Sequence, residues 1–583
     1  MKQLLLRMHV LRLCAALVVA VLIYNLFHIQ IIQGGHWRNT AENNRFRHLV
    51  QVAPRGKIIT ADGVELASNL PGYSVSLAFD GNRASRDKTV ETLARLLELT
   101  EEDIEAMNTR ISDYRRSFEP LELFRNVDFN KILLLEENRH LMPSLVIQVT
   151  PRRVYPQDYL LGHALGRTID YTGREGLELS WNEHLTGTNG FSVVQVRAGG
   201  RPVGLPIISQ VAVPGNNIIL TIDSDLQHFT HEALLRGLAI ARGTRMGAKA
   251  WSGSAVVMDP NTGRILALIS EPSVNANAKY TPPNWEEEVP YAVRGSNLFF
   301  RPVQYPRTVG SIFKMLVGLA ALEEGKVTPT ERIFCGGPTW IVGRRGIDSP
   351  TICWEGTAHG HLDMREAIRL SCNVYFGTLA HRLGYNTLRE YFDLFGIGPS
   401  PFNAGFDCLP LGEQGSANFA SERRPIFGGD VVQMGYGQIN EFTALQMANY
   451  IAMLANGGIH YKPYMVDRVE SAEGEIVEQI LPTILNSHQF SAVNLRTVQE
   501  GMLRMGQSNA NTRNLTVSVA GKTGTAEQTG EGFPHGLWVG YAPFDNPEIV
   551  VVVILEHGGE GFMASRVAAE IINYYFTRGG GTR

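Results

Sequence analysis

The feature that most limits what this chain can fold into is one apolar run near its start, LCAALVVAVLIYNLFHIQII (13–32). Twenty helical residues span about 30 Å, the thickness of a bilayer's hydrocarbon core. Asn25, His28 and Gln30 thin the run in its last third. Lys2, Arg7 and Arg12 precede it, and no Lys or Arg follows until Arg38. The positive-inside bias then predicts that residues 1–12 are cytoplasmic and that the bulk of the chain lies outside the cell membrane. No A-x-A-like site follows the run, which favours a retained single-pass anchor over a cleaved signal. An extracytoplasmic location argues against ATP or NAD as a substrate.

The remainder must fold in water. With 583 residues the chain is expected to hold several domains. Apolar residues make up 44% and charged residues 19%, enough for a sizeable core and unlike a disordered chain. A net charge of −4 gives no reason to expect nucleic acid as a partner. Five cysteines are too few to staple a chain of this size. Cys14 stands alone, whereas Cys335, Cys353, Cys372 and Cys408 cluster.

The patterning predicts an α+β architecture. APRGKIITADGVELASN (53–69) reads as two short strands around Ala61-Asp62-Gly63. DKTVETLARLLEL (87–99) is an amphipathic helix, and Thr100 with Asp103 caps the next one. A short helix is expected within 171–190, and VPGNN (213–217) marks a boundary. Beyond it, SAVVMD and RILALIS flank the turn Pro260–Gly263 as a hairpin. SIFKMLVGLAALEE (311–324) is helical, and helices start at the cap pairs Asp363/Glu366 and Thr443/Gln446. Strands are expected over 515–526, 535–542 and 548–557, with a closing helix over 565–576. The expected division is a cytoplasmic tail 1–12, an anchor 13–32, a first extracytoplasmic region 33–214, a second 215–578 and a flexible tail 579–583.

Three short motifs carry chemistry. In Ser311-Ile-Phe-Lys314 the i, i+3 spacing puts a hydroxyl beside an amine on one helix face. A neutral lysine there could take the serine proton, if burial and nearby cations lower its pKa. A second S-x-x-K, Ser85–Lys88, sits in a charged, exposed-looking helix start and reads as structural. Ser371-Cys-Asn373 lies at a helix junction, where both polar side chains can face one cleft; Ser273–Asn275 and Ser416–Asn418 match the same pattern in loops. Lys522-Thr523-Gly524-Thr525 follows a strand-like run. A lysine and hydroxyls on a strand edge suit a carboxylate, and Gly524 permits close backbone approach. The rival reading of Gly521-Lys522-Thr523 as a phosphate loop lacks the required upstream glycine, because position 516 is Thr516. No G-x-S-x-G elbow is present.

Taken in order, S-x-x-K, S-x-N and K-T-G resemble the penicillin-recognising serine transpeptidases. The anchor, TAENNRFRHLVQVAPRGKIITADGVELASN, GREGLELSW and HGLWVGYAP extend the resemblance to the class B, monofunctional penicillin-binding proteins. The motif spacing is more similar to the elongation group, penicillin-binding protein 2, than to the division enzymes. The resemblance implies a C-terminal transpeptidase fold, an antiparallel sheet packed on helices, after a pedestal-and-head, dimerisation-like region. It implies Ser311 as nucleophile on a D-Ala-D-Ala carbonyl, Lys314 as its base, and Ser371 with Lys522 as proton relay. Asn373 would hold a substrate amide, and Thr523, Gly524 and Thr525 the terminal carboxylate. Implied partners are stem peptides ending in D-Ala-D-Ala, β-lactams, the membrane, a SEDS-family glycosyltransferase and other elongation-complex proteins. No organic cofactor is implied. One departure concerns the nucleophile turn: the family has Pro-Gly there, and this chain has Val309-Gly310. A D,D-carboxypeptidase, a division transpeptidase and a silent scaffold or activator of the glycosyltransferase are the alternatives.

Cys335, Cys353, His359 and Cys372 have a further reading. Three sulfurs and an imidazole are a complete tetrahedral Zn2+ set. Elongation-type relatives resemble this with an Asp, Asp, His and Cys site, in which Cys335 does not occupy the first position; Asp348 or His361 could replace it. Two disulfides, Cys335–Cys353 and Cys372–Cys408, or free thiols, are the competing possibilities.

Overall fold

The structure is a computed structural model that describes residues 2–35, 46–79, 83–114, 120–195, 207–277, 299–341, 350–397, 426–526 and 533–578. Asp348, Cys408, Ser416–Asn418 and the tail 579–583 lie outside the described residues. Compactness divides the chain differently from a single cut after residue 214. One unit comprises 1–54, 69–152 and 187–214, and the other 55–68, 153–186 and 215–583.

The first unit begins with the helix Lys2–Phe27, which continues as a π-helical turn, His28–Ile32. The helix therefore starts earlier than the apolar run at residue 13, because nothing in the preceding basic segment breaks it. The stretch Leu6–Ile32 is apolar and long enough to cross a membrane, about 40 Å at helical rise. Its leucines stand open, Leu13 at 73% exposure, as expected for a lipid-facing segment. The same unit contains a three-stranded antiparallel sheet of Phe46–Gln51, Gly190–Gln195 and Ile207–Gln210. A separate core of Val75, Leu93, Leu123, Leu135 and Leu145 joins other strands, Glu65–Leu77, Leu121–Phe124 and Leu145–Val154, to the helices Arg83–Leu96 and Phe129–Glu137. Thr100 and Asp103 form the reciprocal capping box expected of them. Ser85 of the second S-x-x-K motif lies in the helix Arg83–Leu96, near Ser144 Oγ at 3.4 Å, in a structural setting.

The second unit is organised by a five-stranded antiparallel sheet. Its order is Ile265–Glu271, Ser252–Met258, Ile549–Glu556, His535–Ala542, Ala520–Ala526. The central strand IVVVVILE is buried along its whole length. Period-two alternation sends its side chains to two different cores. Val550, Val552 and Ile554 join the core that holds the helices Lys314–Glu323 and Ala444–Ala455. Val551, Val553 and Leu555 join the core of Ser224–Arg242 and Gly561–Thr577. Each such side chain contributes roughly 1.5–3 kcal/mol on leaving water, which is why a continuous apolar run rather than an alternating one marks this strand.

Two boundaries differ from the sequence expectation. The strand expected from residue 515 starts only at Ala520, since Leu515 N closes a turn onto Thr512 O at 3.2 Å instead of entering the ladder. The closing helix starts at Gly561 rather than 565, because the glycine-rich entry is compatible with its first turn. The short helix expected within 171–190 is two consecutive turns, Gly176–Ser180 and Asn182–Leu185. Glu178 in the first is fully buried and bridges two arginines, Arg55 Nε at 2.5 Å and Arg153 Nε at 2.7 Å. Tyr155 Oη adds a bond at 3.3 Å, and burial pushes that phenol's pKa up. Glu178→Leu leaves two buried guanidiniums without their anion, and we expect a loss of about 3–5 kcal/mol in denaturant unfolding.

Candidate active site

The segment that carries Ser311 enters its helix through a turn that local sequence alone does not stabilise. Gly310–Phe313 is a 3-10 turn, and the α-helix proper begins at Lys314. Gly310 has φ +56°, and a Cβ there would sit 2.9 Å from Thr525 O. Its N–H donates to Gly437 O at 2.8 Å, and Gly437, at φ +79°, would drive a Cβ to 2.1 Å from Gly310 O. Two glycines are thus needed face to face, each for close approach as well as for positive φ. The helix start is completed from another element: Tyr450 Oη accepts from Leu316 N at 3.0 Å and donates to Ile312 O at 3.3 Å.

Lys314 is fully buried, and its Nζ is the hub of the site. It lies 2.9 Å from Ser311 Oγ, 2.6 Å from Ser371 O, 3.1 Å from Ser371 Oγ and 2.7 Å from Asn373 Oδ1. Asn373 Nδ2 donates to Ile352 O at 2.8 Å, which orients the amide with its oxygen toward the lysine. Burial lowers the Lys314 pKa to about 7, against an opposing pull from the thiols of Cys372 and Cys353. Lys522 is also buried, and burial together with the charge of Lys314 pushes its pKa well below the usual value.

Ser371 reaches the hub because its backbone is left-handed, φ +55°. It follows the helix Met364–Arg369, where such a residue is ordinarily glycine. The conformation costs of order 1–3 kcal/mol and recurs at functional sites. Here it turns both the carbonyl and the hydroxyl of Ser371 onto Lys314. Cys372 then caps the helix Asn373–Leu383, its Sγ accepting from Tyr375 N at 3.4 Å.

Among the described residues, the strand Ala520–Ala526 lies at the edge of the sheet, paired with His535–Ala542 on one side. Lys522 and Gly524 are buried, and Thr523 and Thr525 are partly open. A Cβ on Gly524 would meet Ile312 Cγ2 at 3.0 Å and Val309 O at 3.1 Å. Lys522 Nζ donates to Thr523 O at 2.8 Å, and Thr525 Oγ1 accepts from Gly561 N at 3.2 Å. The three motifs therefore converge, with the turn Gly310–Phe313 wedged between the 371–373 junction and the 522–525 edge. By contrast, Ser273 lines a small cavity away from this hub, with His231 and Phe300.

Behind Ser371 and Asn373 lies the thiol cluster. Cys335, Cys353 and Cys372 are buried and His359 is partly open, and the four ligating atoms all lie within 4.8 Å of one another. Cys335 Sγ is 3.7 Å from Cys353 Sγ and 3.6 Å from His359 Nδ1, and Cys353 Sγ is 3.6 Å from Cys372 Sγ. These are free thiols, and no disulfide joins Cys335 to Cys353. Ligands about 2.0–2.3 Å from a tetrahedral ion stand roughly 3.5–3.8 Å apart, so these spacings suit a metal. The Cys372 bond holds the Cys353 thiol low, and that same bond and burial push Cys372 up. His361 instead packs on Phe334, with ring centroids 5.0 Å apart.

Sequence reasoning singled out all of these motif residues but missed Tyr450, Gly437 and the Cys372 cap. Only the Thr443/Gln446 cap pair pointed toward the helix bearing Tyr450.

Residues 253–576 match the family model of the penicillin-binding protein transpeptidase domain, and residues 50–220 that of the penicillin-binding protein dimerisation domain. The peptidoglycan D,D-transpeptidase MrdA of Acinetobacter baumannii is 28% identical across 94% of this chain and 84% of its own length. Its namesake in Escherichia coli K12 is 26% identical across 96% of this chain and 92% of its own. Among solved structures, a chain of a peptidoglycan synthase complex that coordinates polymerization and crosslinking is similar at TM-score 0.68 and 26% identity, covering 99% of this chain and 100% of its own. A chain from the complex of penicillin-binding protein 2 and MreC of Helicobacter pylori shares the fold at TM-score 0.72 and 20% identity, covering 92% and 99%.

Proposed function

Since the chain belongs to the penicillin-binding protein transpeptidase family, we propose that it is a peptidoglycan D,D-transpeptidase of cell-wall elongation, acting through a Ser311 acyl-enzyme. The observation that carries this reading is the set of four oxygens around the buried amine of Lys314. A neutral amine has two N–H groups and one lone pair. Ser371 O and Asn373 Oδ1 can only accept, so they occupy the two N–H groups. The lone pair is left for a hydroxyl, and Ser311 supplies it.

The reaction then follows. Ser311 Oγ attacks the carbonyl of the penultimate D-Ala as its proton passes to Lys314 Nζ. The backbone N–H groups of Ser311 and Thr525 hold the oxyanion, a contribution of roughly 3–4 kcal/mol for one such donor. The C–N bond breaks as Ser371 hands its proton to the departing D-Ala nitrogen and takes in exchange the one held on Lys314 Nζ, 3.1 Å away, with Lys522 helping this relay. An amine of a neighbouring stem peptide attacks the ester, gives its proton back through the same groups, and frees Ser311 with a new crosslink. Asn373 holds a substrate amide, and Thr523 and Thr525, with Gly524 allowing approach, hold the terminal carboxylate. β-Lactams enter as carbonyl mimics that leave a slowly hydrolysed ester.

The apolar helix at the N-terminus fits a single-pass membrane anchor. We assign it an orientation with its basic start in the cytoplasm and the bulk outside. The region matching the dimerisation domain would dock a SEDS-family glycosyltransferase and elongation proteins such as MreC.

The thiol cluster would hold Zn2+ through Cys335, Cys353, His359 and Cys372. The ion would supply structural crosslinking, not reaction chemistry, since four protein ligands leave no open position. Its effect on the site would run through Cys372, which lies between Ser371 and Asn373.

Labelled penicillin is expected to attach covalently to the wild type and not to Ser311→Ala; labelling of Ser311→Ala in denaturing gels would remove the assignment. The wild-type acylation rate should rise as Lys314 loses its proton, through a midpoint at about pH 7, and level off above about pH 8. A flat profile from pH 5.5 to 8.5, in buffered stopped-flow acylation, would contradict Lys314 as the base. Protein purified without chelator should contain about one zinc per chain by elemental analysis, and Cys353→Ser should lose it.

A further inference from the structure

One cluster of buried polar groups outside the acylation chemistry converges on a single carboxylate. Glu556 ends the central strand of the large sheet and is 5% exposed. Ser252 Oγ donates to its Oε2 at 2.6 Å from the neighbouring strand. Arg301 Nε lies 3.3 Å from Oε1, and Arg307 Nη2 lies 3.4 Å from Oε2. Burial alone would raise the pKa of this carboxyl, but the two guanidiniums hold it below the usual range. The nearby His535 imidazole is kept neutral by burial and by the charge of Arg307, and its Nδ1 accepts from His557 N at 2.9 Å.

Each partner has a place relative to the site. Arg307 leads directly into the nucleophile turn. Its backbone pairs with Phe442, and Thr308 pairs with Glu441. Its guanidinium lies over the Tyr305 ring, 3.3 Å from the centroid. Arg301 opens the short helix that precedes this stretch. His535 stands opposite Ala526, the last residue of the strand that carries Lys522 and Thr525. One anion thus ties the approach to Ser311 to the end of the sheet from which the edge strand is built.

The turn needs such a tie. Val309 does not fix its own φ as a proline would, and no side chain caps the turn Gly310–Phe313. Its geometry must come from tertiary contacts. Misplacing a reacting atom by 1 Å can cost about 100-fold in rate.

We propose that Glu556 is a positioning residue for acylation: through Arg307 it fixes the backbone that delivers Ser311 to the edge strand. This rests on Ser311 being the nucleophile. The test uses the full-length protein in detergent and a chromogenic or fluorescent β-lactam. Acylation is resolved into a rate constant at saturation and a half-saturating concentration. The variants are Glu556→Gln, Arg307→Met and the double variant, with thermal melting recorded for each. Expected is a fall in the saturating rate of roughly ten- to a hundredfold in each single variant. The half-saturating concentration should change by less than about threefold. The double variant should lose no more than the worse single one, as for two groups acting through a single contact. Wild-type rates in a folded single variant, losses that multiply in the double variant, or a change confined to half-saturation would each overturn the proposal. Should Glu556→Gln not fold, Arg307→Met decides alone, because it leaves Glu556 paired with Arg301 and Ser252. Ser311→Ala run alongside separates the two readings: if Ser311→Ala is labelled as the wild type is, the nucleophile assignment fails and not the role of Glu556.

Discussion

A fully buried amine is the constraint on which the site depends. Lys314 is fully buried among two hydroxyls, a carbonyl and an amide oxygen, and burial brings its pKa to about 7. In solvent the same amine would be charged. The protein therefore has to keep water out while holding the acceptors in place, and most of the unusual features nearby serve one of those two needs. The left-handed Ser371 aims two oxygens at the amine. Facing glycines at 310 and 437 bring the turn against the edge strand. A second buried lysine, Lys522, stands near enough for the charges to oppose each other.

These local demands are affordable because the surrounding architecture is overdetermined. The central strand Ile549–Glu556 is covered on both faces, so the sheet is a slab between two separate helical cores. One core includes the helix that starts at Lys314, and the other holds the C-terminal helix Gly561–Thr577. Strain of a few kcal/mol at a turn is small beside such burial. The carboxylate of Glu556 sits where this slab meets the approach to Ser311, and it links the rigid part to the reactive part.

Much of this was readable in the chain. Motif residues carry their chemistry in their identities, and the S-x-x-K spacing places hydroxyl and amine on one face wherever a helix forms. Capping pairs such as Thr443/Gln446 and Asp363 located helix starts correctly, because a cap is a local interaction. The all-apolar run of the central strand was legible as a strand for a similar reason. What escaped was non-local. Tyr450 completes the turn of Ser311 from a helix far along the chain, and Glu556 looks from sequence like the polar end of a strand. The left-handed conformation of Ser371 has no sequence signal, since the expected residue would be glycine. The boundary at Ala520 was missed because Leu515–Val519 has strand-like composition, but Leu515 N closes a turn onto Thr512 O.

Among the described residues, the strand Ala520–Ala526 has a strand neighbour on one flank only. Its open flank offers a row of backbone donors and acceptors to any extended peptide laid alongside, so a stem peptide would be gripped mainly by its main chain. Recognition of that kind reads direction and chirality while remaining indifferent to much of what the side chains carry. A wall-building enzyme so constructed can tolerate variation in the middle of its donor peptide yet remain strict about the D-configured end, and any rigid small molecule that imitates that end inherits the same welcome.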